Sequence, residues 1–423
     1  MNGSQARTPP LPFLGWRVVA AAFVGQLVAN SCTFSAFGVF VIPLAEEFHT
    51  TRGTISNGLG MAMLAMGFLS PFIGRWIDRG PVRRIMLGGV ALCSAGLLLL
   101  SRASELWQLA LLFCTAVSLG AALFGSLPSM ALVGKWFVRR RGLALGIAVA
   151  GSTVSSAAAP ALAAYLVDAL GWRDAVALFG IGALLLAAPV FALTVVRSPE
   201  DVGQHPDGAA EPLPEVTSSV AGTSMRALLR DRNFLLAAMG FALVFTSPIV
   251  TTTHLVSFAE DLGVSRRDAS WVLSAVATCS LLGKIVFGLV VDRVDPRHAL
   301  YLAVALLAGG WAVLLGEPGY TGLLLAGALM GLGIGAVLPV QGVVLGLVFG
   351  RAGFGQVMGL GGLLTLPFIA GAGPAVGRLY DATGGYGIAF AAEIAVLLLA
   401  GALFAGLRFP GDARRSSALA KAA

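Results

Sequence analysis

Charge is what this chain has least of. Asp, Glu, Lys and Arg make up only 12% of its 423 residues, against roughly a quarter in a soluble globular domain. Histidine and cysteine are as scarce, with four of each. Cys32, Cys93, Cys114 and Cys279 stand singly in apolar runs, with neither metal-ligand spacing nor the clustering of a disulfide framework. No strand–Gly-rich loop–Lys phosphate cradle, nucleotide fingerprint or nucleophile–base–acid set occurs. These absences exclude a soluble enzyme, a disordered chain and a nucleic-acid binder. No metal and no cofactor is expected.

What is present is apolar. Hydrophobic residues reach 57%, glycine numbers 55, and the mean hydropathy is +0.86. Charge-free gaps run over 18–45, 53–74, 85–101, 106–134, 142–167, 175–196, 233–259, 298–316, 318–350 and 352–377. Two more, 269–291 and 382–407, each contain one charge, Lys284 and Glu393. Each gap is close to or above the ~20 residues that a helix needs to cross a bilayer. No alternation of polar and apolar residues marks them as barrel strands. The first gap far exceeds the ~7–15-residue core of a signal peptide. The pattern predicts an all-α membrane protein with twelve transmembrane helices.

The basic residues then orient the chain. With the N-terminus inside, Arg7, Arg17, Arg75, Arg79, Arg83, Arg84, Lys135, Arg139, Arg140, Arg141 and most of the remaining cations fall on the inner side. Arg414, Arg415 and Lys421 join them at the other end of the chain. The outer side holds fewer, such as Arg52, Arg102 and Arg173. This positive-inside bias places both termini in the cytoplasm, expected at the cell's inner membrane. The pI of about 9.7 follows from that bias and is no nucleic-acid signal. The longest inner connection, 197–232, is rich in Pro, Gly, Ser and acid and reads as a flexible linker. It divides the chain into a six-helix bundle over 1–196 and another over 233–423.

The halves repeat one another. Gly74-Arg-Trp-Ile-Asp78-Arg79-Gly-Pro-Val-Arg83 ends the second span, and Gly288-Leu-Val-Val-Asp292-Arg293-Val-Asp-Pro-Arg297 ends the eighth. Asp78 and Asp292, Gly146 and Gly359, and Pro160 and Pro374 are separated by one interval to within a residue. Asp168-Ala-Leu-Gly and Asp381-Ala-Thr-Gly follow the same register. The economical reading is two pseudo-symmetric six-helix bundles.

At these residues the chain resembles the major facilitator superfamily. The Gly-x-x-x-Asp-Arg loops resemble that superfamily's signature, and Trp136-Phe-Val-Arg-Arg-Arg-Gly-Leu-Ala-Leu-Gly146 resembles its loop between spans four and five. The resemblance implies two bundles rocking about a central site without ATP. Asp78, Arg79, Arg83, Asp292, Arg293 and Arg297 are the expected gating residues, against a plain interfacial anchor. Gly38-Val-Phe-Val-Ile-Pro-Leu-Ala-Glu-Glu-Phe48 and His254-Leu-Val-Ser-Phe-Ala-Glu-Asp-Leu-Gly263 look like the monocarboxylate transporter and oxalate:formate antiporter branch.

Within that branch an arginine occupies the place of Lys284 and binds the substrate carboxylate. Here the string is Gly283-Lys284-Ile-Val-Phe-Gly288-Leu-Val-Val-Asp292. Lysine keeps the charge and loses the two-pronged geometry. An ammonium inside hydrocarbon is costly and should face a cavity or a partner. Lys284 is therefore either a substrate or coupling residue, or a lysine paired with Glu393 or snorkelling inward. Glu393 is expected to be a hydrogen-bonded structural carboxyl, with proton coupling as the alternative. His254 is either a proton-linked outer gate or a hydrogen-bonded helix-end histidine.

Ser280 stands where proton-coupled members of the branch carry Asp, and the eleventh span offers Thr365 and Pro367 in place of a second cation. One cation suits a monoanion better than oxalate. Neutral groups available to complete a site are Gln26, Asn30, Thr33, Ser126, Ser129, Thr246, Ser247 and Gln341, with Asn30 and Gln341 foremost. Gly327, Gly331 and Gly335 share one face of span ten and are expected to pack against another helix. The expected function is secondary transport of a small organic anion, a monocarboxylate, by proton symport or anion exchange. The alternatives are an efflux carrier for apolar drugs, disfavoured by the absence of glycines around Pro160, and a non-transporting sensor on the same scaffold.

Overall fold

The computed structural model describes residues 12–211 and 224–409. Arg7, Arg414, Arg415 and Lys421 lie outside them. Twelve helices are long and apolar enough to cross a bilayer. Spans one to six are Gly15–Glu47, Arg52–Arg79, Val82–Leu100, Leu106–Trp136, Arg141–Leu170 and Trp172–Thr194. Spans seven to twelve are Arg232–Asp261, Arg266–Val291, Pro296–Leu315, Tyr320–Phe349, Phe354–Thr383 and Gly387–Ala405. Helix is dictated by the medium. Hydrocarbon offers no partner to a backbone N–H or C=O, so each span must satisfy its own.

The charges missing from the spans reappear at their ends, where several cap the next helix. Asp231 accepts from Phe234 N at 2.8 Å to start span seven. Ser265 starts span eight by accepting from Asp268 N, and Asp295 starts span nine by accepting from Arg297 N. The repeated Asp-Ala-x-Gly strings have a backbone cause. Gly171 and Gly384 end spans five and eleven at φ of +82° and +73°, a conformation that costs a side chain dearly.

Span one begins and span twelve ends at the same face, which also carries Arg75, Arg79, Arg83, Arg84, Arg139 and Arg140. This is the basic face. The two bundles meet there and at mid-depth, along span two against eleven and span five against eight. Glycine permits the approach. A Cβ on Gly355 would lie 2.7 Å from Gly74 O, and one on Gly288 would lie 2.6 Å from Gly142 O. Ser70 also donates to Gly359 O at 2.6 Å. At the opposite face no hydrogen bond or ion pair joins the bundles among the described residues. The Gly327, Gly331 and Gly335 face packs on span eight, where a Cβ on Gly331 would lie 2.5 Å from Val276 O.

The connection after span six differs from a free linker over its first part. Pro199–Val202 and Pro206–Gly208 form short 3-10 turns. Asp207 accepts from Val138 N, Arg139 N and Arg140 N at 2.8–3.2 Å. Gln204 accepts from Leu14 N and donates to Pro12 O. Glu200 pairs with Arg351, beyond span ten, at 2.7 Å. Acidic residues that looked like linker composition are thus held by the basic loops above them. Residues 212–223 of the connection lie outside the described residues.

Candidate functional site

Lys284 lies in span eight and is only 7% exposed. Its ammonium crosses the interface between the bundles. It donates to Val149 O and Ser152 Oγ, both at 3.1 Å, and to Thr153 Oγ1. All three acceptors are neutral oxygens of span five. They match the three donors of an ammonium. No carboxylate among the described residues lies within ion-pairing distance of it. The close approach that lets lysine reach is set by Gly146 and Gly335, each packed on the backbone of span eight beside Lys284.

Asn30 joins the same group from span one. Its amide donates to Ser35 Oγ at 2.8 Å, Ser152 O at 3.0 Å and Ser156 Oγ at 3.2 Å. Ser31 meets Ser155 at 2.8 Å, and Ser155 donates to Ser35 at 3.1 Å. Ser152 therefore links Lys284 to Asn30. A buried cation, an amide and six hydroxyls form one polar cluster. The hydroxyls of Ser152, Thr153, Ser155 and Ser156 were not singled out from sequence. Their signal was Gly151-Ser-Thr-Val-Ser-Ser156, a hydroxyl run within a single span.

The other expected site residues lie elsewhere. Gln26 faces span four, donating to Ser126 Oγ at 3.4 Å. Gln341 borders a small cleft with Phe234, Phe241 and Thr365. Glu393 does not meet Lys284, which removes that pairing. It is buried in span twelve and accepts from Thr246 Oγ1 of span seven at 3.1 Å. Beside it Trp311 donates to Ser247 at 2.7 Å. His254 has both ring nitrogens engaged, Nε2 with Gly373 O at 3.0 Å and Nδ1 with the Tyr386 hydroxyl at 3.4 Å.

The loop aspartates do meet the opposite bundle, though through other partners than the arginines next to them. Asp78 accepts from Gly355 N at 3.1 Å and Gln356 N at 2.8 Å, the first turn of span eleven. Asp292 accepts from Gly142 N at 2.7 Å and Leu143 N at 2.9 Å, the first turn of span five. A carboxylate suits the unpaired N–H groups and positive dipole of a helix start. The cation at Asp78 is Lys135 of span four, 3.6 Å away, which also donates to Ile77 O. Arg197 donates to Asp78 O, and Arg83 to Val195 O. Arg297 stacks over the Phe409 ring. No partner is found for the Arg79 or Arg293 side chain among the described residues. Burial pushes the Asp292 carboxyl above its ordinary pKa, while the Leu143 and Gly142 N–H groups pull it down.

The chain matches known proteins in sequence and in fold. The family model described as Major Facilitator Superfamily matches residues 22–259 and 247–423. Monocarboxylate transporter 3 of Rattus norvegicus is 31% identical, over 94% of this chain and 80% of its own. Monocarboxylate transporter 13 of Bos taurus is 30% identical, over 92% and 88%. Monocarboxylate transporter 2 of Homo sapiens is 27% identical, over 89% and 82%. Two solved structures share the fold. A bacterial homologue of the iron transporter ferroportin in its outward-facing state has a TM-score of 0.67 at 16% identity, over 92% of this chain and 98% of its own. The human organic anion transporter MFSD10 has a TM-score of 0.67 at 17% identity, over 94% and 100%. The chain belongs to the major facilitator superfamily of secondary transporters, and within it is similar to the monocarboxylate transporter branch.

Proposed function

We propose that the protein carries a small organic anion, a monocarboxylate, by alternating access, with Lys284 as the group that neutralises the carboxylate. The observation that carries this reading is the Lys284 ammonium, buried between the bundles and satisfied only by neutral oxygens. A buried charge without a counter-charge is costly. An entering carboxylate supplies the counter-charge, and the Thr153 hydroxyl, released from the ammonium, becomes a donor to it, while the Ser152 hydroxyl already donates to Val149 O at 2.8 Å. Asn30 and Ser156 lie within the same cluster and offer further polar contacts. The relatives named as monocarboxylate transporters support this substrate class. The single cation favours a monoanion. A carrier for apolar drugs has no use for such an ammonium.

In this reading the basic face is cytoplasmic, both termini lie there, and the membrane is the cell's inner membrane. Residues 1–196 and 233–423 are the rocking bundles, joined through 197–232. With the basic face closed, the site is poised to receive substrate from outside. Gln341 and Gln26 would contact substrate only in another state of the cycle. Glu393 and His254 are the titratable groups through which protons would couple; anion exchange would need neither.

Uptake into proteoliposomes tests this. Formate, acetate, lactate, pyruvate, oxalate and a lipophilic cation would be compared, with and without an inward proton gradient. Saturable monocarboxylate uptake by wild type, abolished in Lys284→Ala, is expected. Carboxylate uptake indifferent to Lys284 would overturn the assignment. Stimulation by the gradient indicates symport, and stimulation by internal anion indicates exchange.

A further inference from the structure

Spans one and four each contain one π-helical turn, Ser31–Ser35 and Phe113–Val117. Such turns are rare and concentrate at functional sites. Both border one cavity of about 600 Å³ within the first bundle, toward the opposite face. Its walls come from spans one, two, three, four and six, and it shares only Ser31 with the polar cluster between the bundles. Its volume is that of a small-molecule site.

The chemistry of the wall is specific. Ile55, Leu97, Leu109, Phe113 and Phe179 are typical of it, and no wall residue is charged. The hydroxyls of its inner wall are already used. Thr33 donates to Ala29 O and Ser31 to Leu27 O, both at 2.8 Å. An apolar space of this kind is a poor container for water and a good one for hydrocarbon. A transported carboxylate would find no counter-charge there. The rim is different. Thr54, Asn57, Met61 and Trp107 are exposed, and two exposed charges flank it, Arg52 at the start of span two and Glu105 just before span four. An apolar depth with a polar rim matches an acyl chain ending in a polar headgroup.

We propose that this cavity binds the acyl chain of a membrane amphiphile, inserted from the rim formed by spans two and four. The π turn of span one is the partition between this chain and the polar cluster. Cys32, Thr33 and Ala36 face the cavity, whereas Asn30 and Ser35 hydrogen-bond to each other across the turn at 2.8 Å. A filled cavity braces the turn that orients Asn30.

Photolabelling tests the proposal without relying on transport. Wild-type protein in nanodiscs would be exposed to palmitate, or to phosphatidylglycerol, each with a diazirine at mid-chain, then irradiated and mapped by peptide mass spectrometry. Adducts at Met61, Trp107 and Phe113 are expected several-fold above those at the exposed Leu185 and Leu193 of span six. The two arms tell a free fatty acid from a phospholipid. Gly58 lines the cavity, and a Cβ there would meet no atom within 4 Å. Gly58→Phe should therefore narrow the space and reduce the excess while thermal unfolding is unchanged. Ala110→Phe narrows it from span four, should Gly58→Phe fail to fold. Adducts spread evenly over the exposed apolar surface, or an excess as large as wild type in a folded narrowed variant, would overturn the proposal.

Discussion

Asp78 and Asp292 make the same contact in opposite directions: each accepts two backbone N–H groups from the first turn of a helix in the other bundle. The sequence repeat is therefore a repeat of bonds that join the bundles. Hydrogen bonds to a charged acceptor contribute about 1.5–3 kcal/mol each. Breaking the two bonds at either aspartate should shift the balance toward an open basic face by at least tenfold. Spin labels at the basic ends of spans two and eleven would show this in Asp78→Ala as a longer distance population. An unchanged distribution would mean that glycine packing alone holds the closure.

The pH dependence of that closure has a definite sign. Burial raises the Asp292 carboxyl above its ordinary value, and opening the basic face returns it to water. The closed arrangement then binds a proton more tightly than the open one. Linkage requires that closure gain as pH falls toward the carboxylate range, and that the gain vanish as pH rises through the raised value. The same spin-label pair read between neutral and mildly acidic pH should show more closed population in acid. Asp292→Asn should flatten the trend.

Glycine makes the closure possible, so the smallest added group should block it. A Cβ on Gly288 would stand 2.6 Å from Gly142 O, a backbone atom with no freedom to swing aside. Gly288→Ala should leave expression and helix content intact while transport falls by an order of magnitude or more. Gly309, whose Cβ would meet nothing within 4 Å, is the control, and Gly309→Ala should transport normally. Equal activity in the two variants would show that spans five and eight need not approach this closely.

How much of this was legible in the sequence depended on what each feature requires. Twelve spans were legible because hydrocarbon excludes charge over a fixed length, and the gaps record it directly. Lys284 was legible for the same reason, as an exception to that exclusion. Its partners were not. Ser152 and Thr153 are common in membrane helices, where most hydroxyls bond to the backbone one turn earlier, as Ser156 does to Ser152 O. Only the approach of span five to span eight selects these two. The partners of Asp78 were hidden more deeply, since backbone N–H groups of span eleven leave no mark in residue type. The order in 197–211 was missed because Glu200 and Asp207 read as solvating acids until the basic loops facing them were in place.

Asp207 supplies the last prediction. Its carboxylate serves three consecutive N–H groups, of Val138, Arg139 and Arg140, in a loop that immediately precedes the start of span five capped by Asp292. Glu200 by contrast makes a single ion pair with Arg351, its side chain 44% exposed, and an exposed pair contributes only about 0–1 kcal/mol. The two acids should therefore behave differently. Asp207→Ala strips three donors of their acceptor and should raise hydrogen exchange at those amides by at least tenfold, given about 1.5–3 kcal/mol for each charged bond. Glu200→Gln should leave the same amides nearly unchanged. Because the freed loop leads into span five, exchange should also rise at Gly142 and Leu143 in Asp207→Ala, with Lys284 and its span-five acceptors untouched. Protection retained at Val138–Arg140 in that variant would mean that the loop holds its shape through the basic side chains, and that the ordered part of the connection contributes nothing to the closure.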